Sequence, residues 1–304
     1  MSFNPADYRN RLLIGDGDWR AELRMRGWER SAPWEQAISR RPDIVRDVAG
    51  AFLDAGANVL VTPTVRADVN APACSPASAG AGEPDAATIH REGTAILRAA
   101  ISDHGAPGAL LFGAMGPTLA LLMLKETTEI ELRKRYAVQA QALAAGGVDA
   151  ILCQGFSEIR ALSVAVDAAR EASGLPVIAG LVFGFGSEQS ETSLGVTIPQ
   201  ACAELAEAGA AAIGADDAGE PDNAPALVKR LRRSTDLPTW VRMSAGTPHL
   251  VEGDLEYPEK PEEFGGRLGA LAEAGANYVA GGRGATVAHI AALALAAKRI
   301  RDSL

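Results

Sequence analysis

A chain of 304 residues, 47% hydrophobic and 22% charged, has the balance of a globular protein able to bury a large core. Its net charge of -9 argues against a nucleic-acid partner, whose phosphates call for clustered Lys and Arg; the short run KRLRR at 229–233 reads as a solvated helix face. Residues 1–7 lack the basic and apolar regions of a secretory leader, no apolar stretch has the length to span a bilayer, and three widely spaced cysteines form neither a disulfide framework nor a metal ribbon. The expectation is a cytoplasmic protein with free thiols, touching neither nucleic acid nor membrane.

In chain order, strands are expected near residues 12–16, 58–62, 109–113, 150–154, 177–181, 211–215, 239–243 and 278–281. Helices are expected near 42–55, 86–103, 128–145, 157–172, 198–208, 223–234, 261–274 and 287–301. One join recurs: an Ala-rich helix end runs through Gly straight into an apolar strand. It is seen in LDAGANVLV (53–61), LAAGGVDAIL (143–152), LAEAGAAAIG (205–214) and LAEAGANYV (271–279). Gly past a helix end takes the left-handed conformation cheaply and drops the chain into the strand. The spacings are multiples of about 30 residues, the size of one βα unit. Strands alternating with helices in this count predict an α/β fold, a single-domain (β/α)8 barrel spanning 1–304. A doubly wound open sheet is the competitor, but the first strand leads into GDGDW (15–19) with no G-x-G-x-x-G turn. Two long segments, 71–85 and 247–260, follow the second and seventh strands and leave the face where such barrels place lids.

In a barrel the strand C-termini converge on one pocket, so the chemistry is sought there. Going round, these positions are Asp16, Gly17 and Asp18; Thr62 and Thr64; 113–116; Cys153 and Gln154; Asp216 and Asp217; Arg242 and Ser244; and 281–284. Asp16 and the pair Asp216–Asp217 are expected to face a cation, assigned to Arg283 of the last strand. No Lys lies at a strand end, which removes Schiff-base chemistry. His90, His104 and His289 fall on outer helices and only His249 lies in a top-face loop, so no Ser-His-Asp set is supported.

Taken together, the segments LIGDGDWRAEL (13–23), AGANVLVTPT (55–64), GVDAILCQGF (147–156), SAGTP (244–248) and GGRGATVAHI (281–290) resemble the homocysteine S-methyltransferase family. That family includes betaine–homocysteine methyltransferase and the homocysteine domain of methionine synthase. The matching family patterns are D-G-x-x-G-T-x-L, A-G-A-x-x-x-x-T-N-T, G-x-D-x-x-x-x-E-T-F, N-A-G-x-P and G-G-C-C-G-T-x-P-x-H-I. The resemblance implies a zinc ion held by three Cys thiolates, with the substrate thiol as fourth ligand attacking a methyl donor. Here the thiolate positions fall on Asp217, Gly282 and Arg283, the family Glu for the substrate amino group on Gln154, and the Asn of T-N-T on Pro63. An arginine cannot ligate zinc. Cys153 neighbours Gln154 and points to the opposite face, Cys202 lies in a helix, and Cys74 lies in the long segment after the second strand.

The expectation is therefore a homocysteine S-methyltransferase-like enzyme without the family's zinc, carrying out methyl transfer or related chemistry on a small amino-acid-like or thiol substrate. The candidate catalytic residues are Asp16, Asp217 and Arg283; the candidate substrate contacts are Asp16, Gly17, Thr62, Gln154, Asp216, Ser244 and Gly282. No metal ligand and no cofactor is expected, the methyl donor is unassigned, and self-association is left open. Two other readings stand beside it. One is a phosphorylated or carboxylated ligand bound by the loops after the seventh and eighth strands; the other is a non-catalytic binding or scaffold homologue.

Overall fold

The computed structural model describes residues 3–8, 11–67, 85–118, 120–185, 190–216, 220–251 and 254–302. Eight parallel strands form one sheet: β1 (Leu13–Ile14), β2 (Val59–Val61), β3 (Leu110–Met115), β4 (Ala150–Phe156), β5 (Val177–Leu181), β6 (Ala212–Asp216), β7 (Thr239–Met243) and β10 (Tyr278–Gly281). Their order is β1-β10-β7-β6-β5-β4-β3-β2. A parallel bridge between Gly15 and Val59 joins the two ends, and Asn58 locks the seam by accepting from Ile14 N at 2.9 Å through its side chain. The expected (β/α)8 barrel is what forms.

The principal outer helices are α3 (Pro42–Asp54), α4 (Ala86–Asp103), α5 (Glu129–Gly146), α6 (Ile159–Ser173), α7 (Ile198–Glu207), α8 (Ala224–Ser234) and α11 (Val287–Asp302). Start signals explain where several begin. Pro42 opens α3, the Asp85 side chain accepts from Thr88 N at 2.7 Å ahead of α4, and Thr128 with Glu131 forms a capping box on α5. The recurring Gly joins are all left-handed, with φ of 94° at Gly56, 87° at Gly147, 87° at Gly209 and 96° at Gly275. No described helix is long and apolar enough to cross a membrane.

Four features depart from the sequence reading. Strand β1 is only Leu13–Ile14, because Asp18 caps a helix, α1 (Trp19–Met25), that buries Trp19, Glu22 and Leu23. A short helix, α2 (Ala37–Arg40), precedes α3. The helix expected over 261–274 is two, α9 (Pro261–Gly266) and α10 (Leu268–Ala274). Consecutive glycines weaken a helix interior, and Gly265 sits so close to Ala292 of α11 that a Cβ would come within 2.8 Å. The long segment after β7 carries an antiparallel hairpin, β8 (His249–Val251) with β9 (Asp254–Glu256). The segment expected after β2 falls, from 68 to 84, outside the described residues.

Two apolar layers follow from strand alternation. Side chains facing outward pack under the helices in the larger core, which includes Ile14, Leu60, Leu111, Ile151, Cys153, Val241 and Val279. Those facing inward fill the barrel: Val59, Val61, Phe112, Ala150, Leu152, Ile178, Ala212, Trp240 and Tyr278. Phe3 lies against Phe112 with ring centroids 5.2 Å apart, over the N-terminal end of this plug. The plug leaves the C-terminal end of the barrel for function.

Candidate functional site

The inward-facing positions change character near the strand C-termini. On β4 Leu152 gives way to Gln154, on β7 Trp240 to Arg242, and on β6 Ala212 and Gly214 to Asp216. These three polar side chains meet. Arg242 donates from Nη1 to Asp216 Oδ1 at 2.8 Å and to Gln154 Oε1 at 3.3 Å, and from Nε to Gly281 O at 3.2 Å. Burial opposes the guanidinium charge, but Asp216 and Asp16 nearby outweigh it and raise the pKa above its ordinary value. Arg242 is therefore a fixed cation among the strand ends.

Asp16 follows β1 and stitches the barrel seam. Its Oδ2 accepts from Val61 N and from Trp19 Nε1, both at 2.7 Å, and its backbone carbonyl accepts from Gly281 N at 2.8 Å. Desolvation pushes its pKa up to about 6, although those hydrogen bonds and Arg242 pull the other way. Below this group lies Tyr278, whose ring packs against Trp240 and Phe112 with centroids 5.8 and 6.0 Å away. Its buried hydroxyl has no hydrogen-bond partner among the described residues. A Cβ on Gly15 would fall 2.2 Å from that oxygen, so glycine there is what lets the tyrosine stand upright.

The expected site residues divide into groups. Gln154 and Asp216 accept from Arg242, and Asp16 is near enough to act on its charge. Thr62 is engaged structurally: its hydroxyl accepts from Ala114 N at 2.9 Å and lies 2.7 Å from that of Thr64, which donates to Ala114 O at 2.8 Å. Gly17 and Gly282 mark close backbone crossings, a Cβ coming within 2.2 Å of Ala285 O and 2.9 Å of Met243 O respectively. Ser244 is buried at the end of β7. Asp217 lies outside the described residues. Arg283, expected to face the carboxylates, has an exposed side chain on the loop after β10; its expected pairing with Asp217 lies outside the described residues, and the cation on Asp216 is Arg242. Alternation explains the exchange: Arg242 shares the inward face with Trp240, whereas Arg283 lies two residues beyond the end of β10, where strand periodicity no longer aims it.

Several of the loop amides after β10 that could be offered to an anion are occupied. Asp18 Oδ2 accepts from Gly284 N at 2.9 Å and Oδ1 caps α1, Glu22 Oε1 accepts from Val287 N at 2.8 Å, and Thr286 N donates to His289 Nδ1 at 3.2 Å. Two carboxylates of this chain already sit where a phosphate would.

Among the described residues, the donors do not match a thiolate zinc centre. Cys153 and Cys202 are buried between sheet and helices, where desolvation pushes their thiols up to about 12 and about 11. Gly282 offers no donor side chain, and among the described residues no three His, Cys, Asp or Glu side chains cluster as a metal site. Arg242 would repel a cation placed beside Asp216.

Comparisons with known proteins converge. The methionine synthase of Mycobacterium tuberculosis is 29% identical over a 312-residue alignment that covers 96% of this chain and 25% of that protein. The chain thus spans about a quarter of the length of the methionine synthases it matches. Betaine–homocysteine S-methyltransferase 1 of Sus scrofa is 28% identical, the alignment covering 81% of this chain and 83% of that one. The metallated homocysteine methyltransferase of Escherichia coli superposes with a TM-score of 0.76 at 19% identity, covering 93% of this chain and 96% of that one, a likeness of fold. The family described as homocysteine S-methyltransferase matches residues 13–297, and the chain belongs to that family.

Proposed function

We propose that this chain is a methyltransferase of small molecules that accepts an amino-acid-like or thiol substrate at the C-terminal face of its barrel and works without the family's three-thiolate zinc. The observation that carries the reading is the Arg242–Asp216–Gln154 cluster, with Asp16 nearby, among the strand ends where the family resemblance puts the metal. A fixed guanidinium lowers the pKa of a thiol beside it, which is part of what a metal would supply. Asp16, pushed up to about 6, is ionised at neutral pH and able to take the thiol proton. The sulfur lone pair then forms the bond to the donor's methyl carbon, and the donor departs with the electron pair of its broken bond. The occupied amides of the loop after β10 speak against the anion-binding alternative.

The test is methyl transfer to L-homocysteine from betaine or S-adenosylmethionine, followed by mass spectrometry before and after dialysis against a strong chelator. The expected result is turnover unchanged by chelation in protein holding well under one metal per chain. Stoichiometric zinc, with activity that vanishes on chelation and returns with zinc, would sink the reading.

A further inference from the structure

The loop joining β10 to α11 has all four of its amides from 284 to 287 engaged. Gly284 N donates to Asp18 Oδ2 at 2.9 Å, Ala285 N to Gly282 O at 3.1 Å, Thr286 N to His289 Nδ1 at 3.2 Å and Val287 N to Glu22 Oε1 at 2.8 Å. Of the three side chains that accept, two are carboxylates and one is an imidazole, His289, buried at the third position of α11. A side chain there that reaches back to the amide before the helix is half of a capping box, a task usually given to Glu or Gln. The hydrogen bonds fix the state of the ring. An amide N–H only donates, so Nδ1 must present its lone pair to Thr286. A backbone carbonyl only accepts, so Nε2 must carry the proton it gives to Glu259 O at 3.0 Å. The ring is thus the neutral Nε2–H tautomer.

Glu259 is where the strap that carries the β8–β9 hairpin returns to the barrel. Its neck is cinched by Glu259 N donating to Ala245 O at 3.1 Å, and by Pro258 against Gly246, where a Cβ would fall 2.9 Å from the proline ring. Tyr257 lies over Gly284, so close that a Cβ there would come within 2.1 Å of its ring. Arg267 grips the Glu259 carboxylate at 2.5 and 3.2 Å and also pairs with Asp222. Beyond the neck the hairpin leaves Leu250 and Leu255 exposed. One imidazole therefore ties the strap after β7 to the loop after β10. That loop in turn meets the strand ends, where Arg283 O accepts from Ala245 N at 2.8 Å and Gly281 O accepts from Arg242 Nε at 3.2 Å.

A proton added at Nδ1 turns an acceptor into a donor facing the Thr286 N–H. It also puts a cation in the first turn of α11, against the helix macrodipole. Imidazole is the side chain that ordinarily gains its proton between about pH 5 and 8. The carboxylates nearest the ring are already committed, Glu259 to Arg267 and Glu22 of α1 to Arg26. α9 presents Phe264, edge-on to the imidazole with centroids 5.2 Å apart. Its Glu262 and Glu263 are exposed, as are Asp43, Arg46, Asp47 and Asp54 of α3 and Glu273 of α10. β1 carries no charged residue, β10 has only Tyr278, which faces the barrel interior, and the charged residues of α11 itself lie beyond residue 297. The Thr286 hydroxyl, 2.9 Å from Nδ1, can accept from a protonated ring, but the Thr286 amide is then left without its acceptor.

We propose that His289 is a positioning residue of the C-terminal face: as the neutral Nε2–H tautomer it clasps the strap to the β10–α11 loop, and a proton taken up at Nδ1 releases that loop. Through Gly281 and Arg283 the released loop acts on Arg242 and on the end of β7. The clasp operates whatever reaction the face performs.

Nuclear magnetic resonance of the isotope-labelled full chain, titrated from about pH 8 to about pH 5, tests it. The ring nitrogens report the tautomer directly: at the upper end Nδ1 should carry no proton and Nε2 one. As the ring is protonated, exchange protection of the Thr286 amide, corrected for the intrinsic rate, should fall roughly tenfold, the worth of one hydrogen bond. The amide of Ile151, paired with Pro176 O in the sheet, is the control and should hold its protection. His289→Gln offers a carbonyl to Thr286 N and an NH2 to Glu259 O with no group to titrate, so its Thr286 protection should stay level across the range. If that variant does not fold, the titration of the unaltered chain decides alone. A proton on Nδ1 at about pH 8, a ring that stays neutral until the chain unfolds, Thr286 protection indifferent to the ring's protonation, or the same pH-dependent loss in His289→Gln would each overturn the clasp.

Discussion

The lower and upper halves of the barrel interior are built from the same strands and the same face, yet they obey different rules. Two residues along a strand, about 6.6 Å, separate Leu152 from Gln154, Trp240 from Arg242 and Gly214 from Asp216. Below, large rings interlock. Trp240 lies across Gly180 and Gly214, where a Cβ would come within 2.2 and 2.0 Å of it, and Tyr278 stands against Gly15. Above, charges gather instead. Asp16 keeps a proton up to about pH 6 because burial disfavours its charge, and Arg242 and Asp216 are an ion pair with side chains only 17% and 9% exposed. Burying such a pair brings little net stability. The lower half holds the barrel closed, and the upper half gives up stability to gather charge at the strand ends.

The sharpest way to break that contrast is to disturb the plug. Gly214→Ala places a methyl 2.0 Å from the Trp240 carbonyl, a backbone atom that cannot yield cheaply. We expect a loss of more than about 3 kcal/mol, or no folded protein. Gly269→Ala serves as the control, since a Cβ there meets nothing within 4 Å. Urea unfolding that found the two variants equally stable would mean the glycine layer is not a packing requirement.

A smaller effect of opposite sign is expected above. The folded-state pKa of Asp16 is raised from 3.8 to about 6. Its contribution is therefore neutral below about pH 4, becomes destabilising as pH rises to about 6, and stays constant beyond. Asp16→Asn removes that ionisation. The stability of the variant relative to the native chain should rise between pH 4 and pH 7 by up to about 3 kcal/mol. Parallel stability curves for the two proteins across that range would contradict the assignment.

The barrel was legible because its cues are local. Each Gly at a helix-to-strand join fixes a left-handed residue, and each apolar run between joins is short enough to be only a strand. Part of the site was legible for the same reason: Asp16, Gln154 and Asp216 lie on strand ends whose periodicity the sequence displays. The role of Arg242 follows from β7 alternation, with Trp240 and Arg242 on one face, but choosing it over Arg283 needs the path of the loop after β10, which no local pattern encodes. The contribution of Tyr278 was equally hidden. Its hydroxyl reaches the upper layer only because Gly15, distant in sequence, makes room. Asp18 looked like a strand-end carboxylate, yet an acid directly ahead of Trp19, with Leu23 one turn on, is also a helix-start signal, and the structure uses it that way.

The most direct test of the account is a crystal structure with L-homocysteine bound, with diffraction recorded on both sides of the zinc absorption edge. The account predicts the amino acid at the strand ends beside Arg242, Asp216 and Asp16, and no anomalous zinc peak. A zinc peak at the strand ends, or a ligand bound elsewhere with the Arg242 cluster untouched, would contradict it.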